Sequence, residues 1–235
     1  LAATPVRKGI FGVLKAKAGM AISAAALALA LAGCVAPGSL KPTASSAVAP
    51  PSKSDAWMRI ASSADQERLA NITGAWAAGL ADARRNFASA IREEGRLLRQ
   101  DASLARPAPT PGSYSCRVVS LGTTVRAKPG FERFKPFFCY VEVEGDLLTI
   151  VKQTGSTRPA GRLWEDNNPN RLVFLGSLAL GNEEEVKAYG DDPRRDMAGI
   201  FERIGPFVWR LVIPWPQDGS KLQVFELTPV ADQPE

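Results

Sequence analysis

The chain has 235 residues, of which 45% are hydrophobic and 23% charged. That length holds one sizeable domain with accessory segments, and that composition excludes a disordered or collagen-like chain. The net charge of +5 does not mark a nucleic-acid binder, because the excess is local. The first 33 residues carry Arg7, Lys8, Lys15 and Lys17 and no acid; without them the chain holds 25 basic and 24 acidic residues. A nucleic-acid protein keeps a basic patch in its working form, so no nucleic-acid partner is expected.

Residues 1–33 read as an export leader. A basic stretch comes first, then an uncharged Ala- and Leu-rich run from Ala18 to Gly33, then Leu31-Ala32-Gly33-Cys34. The apolar run is about 16 residues, short of the roughly 20 that a spanning helix needs. The last four residues resemble the lipobox of bacterial lipoproteins. That resemblance implies cleavage before Cys34, a diacylglycerol on its thiol and acylation of the new amine. With Val35 in place of Asp after the cysteine, it further implies the outer membrane, facing the periplasm. Each buried CH₂ of the acyl chains adds about 0.8 kcal/mol to the anchoring.

With Cys34 assigned to lipid, Cys116 and Cys139 remain of three cysteines. An even remainder in an oxidising compartment predicts one disulfide. Closing a loop of this size stabilises by roughly 3 kcal/mol in the chain-entropy picture. The alternative is a pair of buried free thiols.

Residues 34–54 are mainly Ala, Pro, Ser and Lys and read as a flexible tether. Residues 55–106 read as a helical segment. Leu69, Ile72, Trp76, Leu80, Ala83, Phe87 and Ile91 recur at spacings of three and four. Ser63 or Asp65 is the expected cap, and Arg84, Arg85, Arg92, Arg96 and Arg99 fall on the remaining faces, where solvation is the default. Pro107-Ala108-Pro109-Thr110-Pro111-Gly112 ends the helical unit.

Residues 112–235 change to β patterning. Expected strands are Tyr114–Leu121, Phe137–Glu144, Leu147–Gln153, Ala160–Trp164, Arg171–Leu180, Gly199–Ile204, Phe207–Ile213 and Lys221–Thr228. Gly145-Asp146 fits a two-residue type II′ hairpin turn. Phe207, Trp209, Leu211 and Ile213 share an apolar face, with Arg210 opposite. One dry and one wet face indicate antiparallel sheet. The expected fold is therefore mainly β with an N-terminal helix (α+β): about eight antiparallel strands in a small barrel or a strongly curved sheet. Such a barrel has room for side chains or for one small ligand.

From Gly112 onward the sequence is similar to the domain-of-unknown-function family numbered 4893. The resemblance rests on Gly112-Ser113-Tyr114-Ser115-Cys116-Arg117, Phe138-Cys139-Tyr140, Gly155-Ser156-Thr157-Arg158-Pro159-Ala160-Gly161-Arg162-Leu163 and Leu175-Gly176-Ser177-Leu178-Ala179-Leu180-Gly181. The most distinctive piece is Tyr189-Gly190-Asp191-Asp192-Pro193-Arg194-Arg195-Asp196. The resemblance implies a fold unit and an envelope address, and no activity.

The chain has no His, so the commonest general base and metal ligand are missing. No catalytic residue, cofactor or metal is expected. Arg158 and Arg162 share one face of a strand and would suit an anion, or would pair with strand Glu residues. Asp191, Asp192, Arg194, Arg195 and Asp196 would contact a ligand or partner, or would lock a turn by local ion pairs; the arginines disfavour Ca²⁺. Glu183-Glu184-Glu185 reads as a solvated acidic loop. The leading functional expectation is a non-enzymatic lipoprotein whose β-domain binds a small ligand or an envelope protein. The alternatives are a periplasmic protease inhibitor and an enzyme using Asp, Glu or Arg groups.

Overall fold

The computed structural model describes residues 53–153, 157–181, 183 and 186–231. The leader, Cys34 and the tether up to residue 52 lie outside the described residues.

The helical segment begins with a 3-10 helix, Lys53–Arg59, so the last two residues assigned to the tether open this helix. Helix α1 (Ser63–Ala70) follows, then α2 (Ile72–Glu93) and a 3-10 turn, Gly95–Leu98. The cap of α1 lies one residue before the expected Ser63. The Ser62 hydroxyl accepts the Asp65 N–H at 3.1 Å, satisfying one of the donors that a helix N-terminus leaves without a partner. Asn71 breaks the segment between α1 and α2, and Phe87 leaves helical geometry inside α2. The apolar stripe runs across both interruptions, so periodicity alone shows one continuous segment. Its Leu69, Trp76, Leu80, Ala83 and Ile91 are all buried.

Nine strands follow: β1 (Gly112–Thr123), β2 (Phe131–Arg133), β3 (Phe137–Glu144), β4 (Leu147–Lys152), β5 (Thr157–Glu165), β6 (Arg171–Leu180), β7 (Asp196–Gly205), β8 (Val208–Pro214) and β9 (Ser220–Pro229). From β3 to β9 each pairs antiparallel with its successor, β1 pairs with β3, and β9 returns to β1 from Tyr114↔Pro229 to Thr123↔Ser220. The sheet is thus closed into an eight-stranded antiparallel barrel, which removes its free edges. Strand β2 adds to β1 at Val119–Leu121, beyond the stretch that β3 occupies. With one apolar residue in Phe131-Glu132-Arg133, it carries no alternation for a sequence reading to find. The expected hairpin at Gly145-Asp146 is present. Glu144 pairs with Leu147 across it, and Gly145 has φ +63°, a conformation that strains a residue with a Cβ.

The barrel interior is filled by its own side chains. Tyr114, Cys116, Cys139, Val141, Ile150, Leu163, Phe174, Phe201, Trp209, Leu211, Phe225 and Leu227 pack into one cluster. Paired Gly161 and Gly176 make this packing feasible. A Cβ on Gly176 would collide with the Ala160 carbonyl and stand 2.6 Å from the Phe174 ring, so two bare backbones let the Phe174 side chain enter. Burying one such side chain contributes about 1.5–3 kcal/mol. The cavity left near Phe137, Ile150, Lys152 and Phe174 has about 20 Å³. Among the described residues, a cavity of that size does not hold the one small ligand that strand counting left open.

Two covers lie on the outside. Over β1, β8 and β9, helix α2 and the turn after it bury Ala75, Trp76, Leu80, Leu97 and Leu98 against Val119, Leu121, Val212, Leu222 and Val224. Over β6 and β7, the first 3-10 helix and α1 bury Trp57, Ala61 and Leu69 against Val173, Leu175, Ala198 and Ile200. Arg210, read from sequence as lying on the wet face, does point out of the barrel. It is nonetheless 0% exposed, because the α2 cover closes over it. It bonds Glu202 at 2.7 Å, and donates to the carbonyls of Leu97 at 3.0 Å, Arg99 at 2.6 Å and Gln100 at 3.1 Å. Its guanidinium also sits 5.0 Å from the Trp76 ring centroid. Phe207, expected on the inner face, is instead 71% exposed in the turn before β8, since an alternation rule does not show where a strand stops.

Candidate functional site

A groove of about 690 Å³ lies on the outer surface, beside the first 3-10 helix and α1. Val173 of β6 and Ile200 of β7 line it from the barrel. Trp57, Met58, Leu69 and Ala70 line it from the helices. Gln66, Glu67, Asp166, Asn167, Asn168 and Arg171 complete the lining. Of the apolar lining residues Met58 and Ala70 are exposed, whereas Trp57, Leu69, Val173 and Ile200 are buried and form the floor.

Local hydrogen bonds hold the groove open. Ser54 donates to Asn167 Oδ1 at 2.7 Å, and Asn167 donates in turn to Asp55 Oδ1 at 2.8 Å, tying the β5–β6 loop to the first helix. Gln66 donates to the Met58 and Ala61 carbonyls, both at 2.9 Å. Arg171 donates to Asp166 at 2.5 Å, and that carboxylate is 4% exposed. Among the described residues, Glu67 is exposed and has no ion-pair partner, and the buried Trp57 indole N–H has no hydrogen-bond acceptor.

On the opposite side of α1 lies a polar network that reaches the Tyr189–Asp196 segment. Asp65 is buried and accepts hydrogen bonds from the Tyr189 hydroxyl and the Ser62 hydroxyl, the latter at 2.9 Å, and pairs with Arg68. Arg68 also donates to the Trp215 carbonyl at 3.2 Å, and burial lowers its pKa. Within the loop, Asp191 accepts the Ala188 N–H at 3.1 Å and Asp192 the Arg194 N–H at 3.2 Å. Asp196 accepts the Gly190 N–H at 3.0 Å. Burial pushes the Asp196 carboxyl up; at Asp192 burial acts the same way, but the Arg194 side chain and N–H outweigh it and bring that carboxyl down. Arg195 bonds Glu183 at 2.7 Å and stands 3.5 Å from Asp192. The carboxylates of this segment hold its own turn and Arg195 ties it to Glu183, while the neutral Tyr189 hydroxyl makes the contact with α1. No cluster of three or more Cys, Asp or Glu among the described residues is placed to hold a metal ion.

Arg158 and Arg162 share the outer face of β5 and part ways from there. Arg158 donates to the carbonyls of Gly181, at 2.6 Å, and Glu183. Arg162 pairs with Glu144, which also accepts the Thr149 hydroxyl at 2.9 Å. That pairing, helped by Thr149, holds the Glu144 carboxyl at about 2. Cys116 and Cys139 form the disulfide, joining β1 to β3 inside the barrel. Lys152 is half-buried at the small interior cavity, its ammonium 4.2 Å from the Phe137 ring centroid, and burial lowers its pKa.

Sequence reasoning assigned none of the groove residues to a site, and named Leu69 only as part of the apolar stripe. Trp57 and Met58 precede the periodic stripe, and Glu67 is one charge among many on a helix. The available signal was Trp57 itself, a large aromatic directly after a Pro- and Ser-rich stretch. No helix among the described residues is long and apolar enough to cross a membrane.

No curated protein and no solved structure matches the chain. The profile of one family, Domain of unknown function (DUF4893), matches residues 57–227. That span takes in Trp57, α1 and α2 as well as the barrel, so the helical covers belong to the family's unit. On that match the chain belongs to the DUF4893 family.

Proposed function

We propose that the protein is exported, cut before Cys34 and held by lipid on that cysteine in the outer membrane, facing the periplasm. There its DUF4893 domain acts as a non-enzymatic binding module. The observation that carries the binding reading is the contrast in free volume: about 20 Å³ inside the barrel against about 690 Å³ in the groove by α1. A ligand or partner side chain therefore seats outside the barrel. The engagement of Arg158, Arg162, Asp191, Asp192, Arg195 and Asp196 in pairs and turns favours a scaffolding role for them over ligand contact, while the Arg194 side chain is 90% exposed. The address is supported by the leader pattern, and by a disulfide of the kind that persists in oxidising compartments.

Two measurements test this reading. The intact mass of the mature protein from a diderm host should show a chain starting at Cys34 with added acyl mass; an unprocessed chain without lipid contradicts the address. Native mass spectrometry should show small apolar molecules carried through purification by the wild type and lost from Ala70→Trp, whose side chain fills the groove. Equal loading of the two proteins contradicts the site.

A further inference from the structure

The outward face of α2 carries positive charge that the fold does not use. Arg84, Arg85 and Arg92 are exposed there, as is Arg96 in the 3-10 turn that follows. The carboxylates of the helix are engaged by other groups. Asp82 accepts the Thr123 N–H at 3.0 Å and pairs with Lys221 at 3.0 Å, with Arg85 at 3.6 Å. Glu93 pairs with Arg133 at 3.0 Å, and the buried Glu94 lies between Arg117 and Arg133. Arg84, Arg92 and Arg96 form no ion pair among the described residues. Arg92, in the last turn, suits the negative end of the helix. Arg84 lies mid-helix, where that field has faded. The other exposed residues of this face are small, Ala77, Ala81, Ala88 and Ser89, and no large exposed apolar side chain lies on α2. A protein partner is held by aromatic or aliphatic anchors in pockets, and this face offers none. An anionic bilayer needs only a density of uncommitted cations. The lipid proposed for Cys34 would keep a bilayer within reach, since 19 residues join Cys34 to Lys53, at most about 65 Å of chain.

We infer that the exposed face of α2 docks on anionic lipid headgroups, with Arg84, Arg92 and Arg96 as its contacts. This adds a second contact to the anchored address proposed above, and the test omits the lipid so that either can fail alone. The full, oxidised chain with Cys34→Ser is floated with vesicles of phosphatidylcholine, alone or mixed with phosphatidylglycerol. Every variant keeps residues 1–52, so whatever that segment binds is common to all. The wild type should bind the anionic vesicles tighter, and the excess should shrink as salt is raised. Each cation at such a surface contributes about fivefold, so Arg92→Gln with Arg96→Gln should weaken binding about 25-fold. Lys at both positions should restore it. Arg59→Gln with Arg194→Gln, exposed cations off this helix, should cost no more than about twofold. Equal binding of the two vesicles, equal losses from the two pairs, or no rescue by Lys would each overturn the inference. An acidic protein bound through these arginines by a chain that ignores both vesicles would give the face to a protein partner and overturn the bilayer.

Discussion

The two covers of the barrel differ in what they leave unfilled. Under α2 the packing is continuous, and the fully buried Arg210 spends its guanidinium on Glu202 and three backbone carbonyls. Under the first 3-10 helix and α1, Val173, Leu175, Ala198 and Ile200 are equally buried, and a groove remains at the rim of this contact. Both covers are amphipathic segments on the same sheet, so amphipathicity does not separate scaffold from site. The difference lies in length and continuity. Helix α2 has 22 residues and seals its strip, whereas α1 has 8 and follows a 3-10 helix of 7.

The sharpest way to break this comparison is at Arg210. Arg210→Met keeps the volume but leaves Glu202 and the carbonyls of Leu97, Arg99 and Gln100 without their donor. Removing one partner of a buried pair costs about 3–5 kcal/mol, and urea unfolding should show a loss of that size. A loss under about 1 kcal/mol would mean that the α2 cover is not locked by this residue. Next in size is Gly176→Ala, which forces a methyl against the Ala160 carbonyl and the Phe174 ring. Overpacking of this kind costs about 1–3 kcal/mol, read in the same unfolding experiment.

Surface pairs should matter less. Arg162→Gln releases Glu144, about half of whose side chain is exposed, so the loss should stay below about 1 kcal/mol. The sign with pH follows from a carboxyl lowered by folding from 4.5 to about 2. Its contribution is complete above the ordinary Glu range and fades as pH falls through that window. Wild type and Arg162→Gln should therefore converge in stability near pH 2. The smallest stability effect belongs to the open face: Ala70→Trp adds bulk to a free groove and should change unfolding by no more than about 0.5 kcal/mol. A large destabilisation would show that this face is packed more like the α2 face than its volume indicates.

The strands were legible because alternation and turn residues are local. All eight strands of the barrel were readable, most to within a few residues, and only β2, with its single apolar residue, escaped. Barrel closure was not legible, since it rests on the pairing of β1 with β9, about a hundred residues apart. Asn71 and Phe87 interrupt the helix without interrupting the stripe, so periodicity missed them. Arg210 was placed on the correct side of its strand and given the wrong environment, because a sheet's pattern says which face is outer and not what covers it. The groove was invisible for the same reason. It is a property of how α1 meets β6 and β7, and its residues carry no spacing of their own.

The central claim is that this domain binds outside its barrel, in the groove under α1. Methyl-labelled NMR of the oxidised protein, titrated with octanol, tests it most directly. The account predicts shifts at Met58, Leu69, Val173 and Ile200, with the interior methyls of Ile150, Leu211 and Leu227 unmoved. Shifts centred on those interior methyls, with the groove silent, would contradict it.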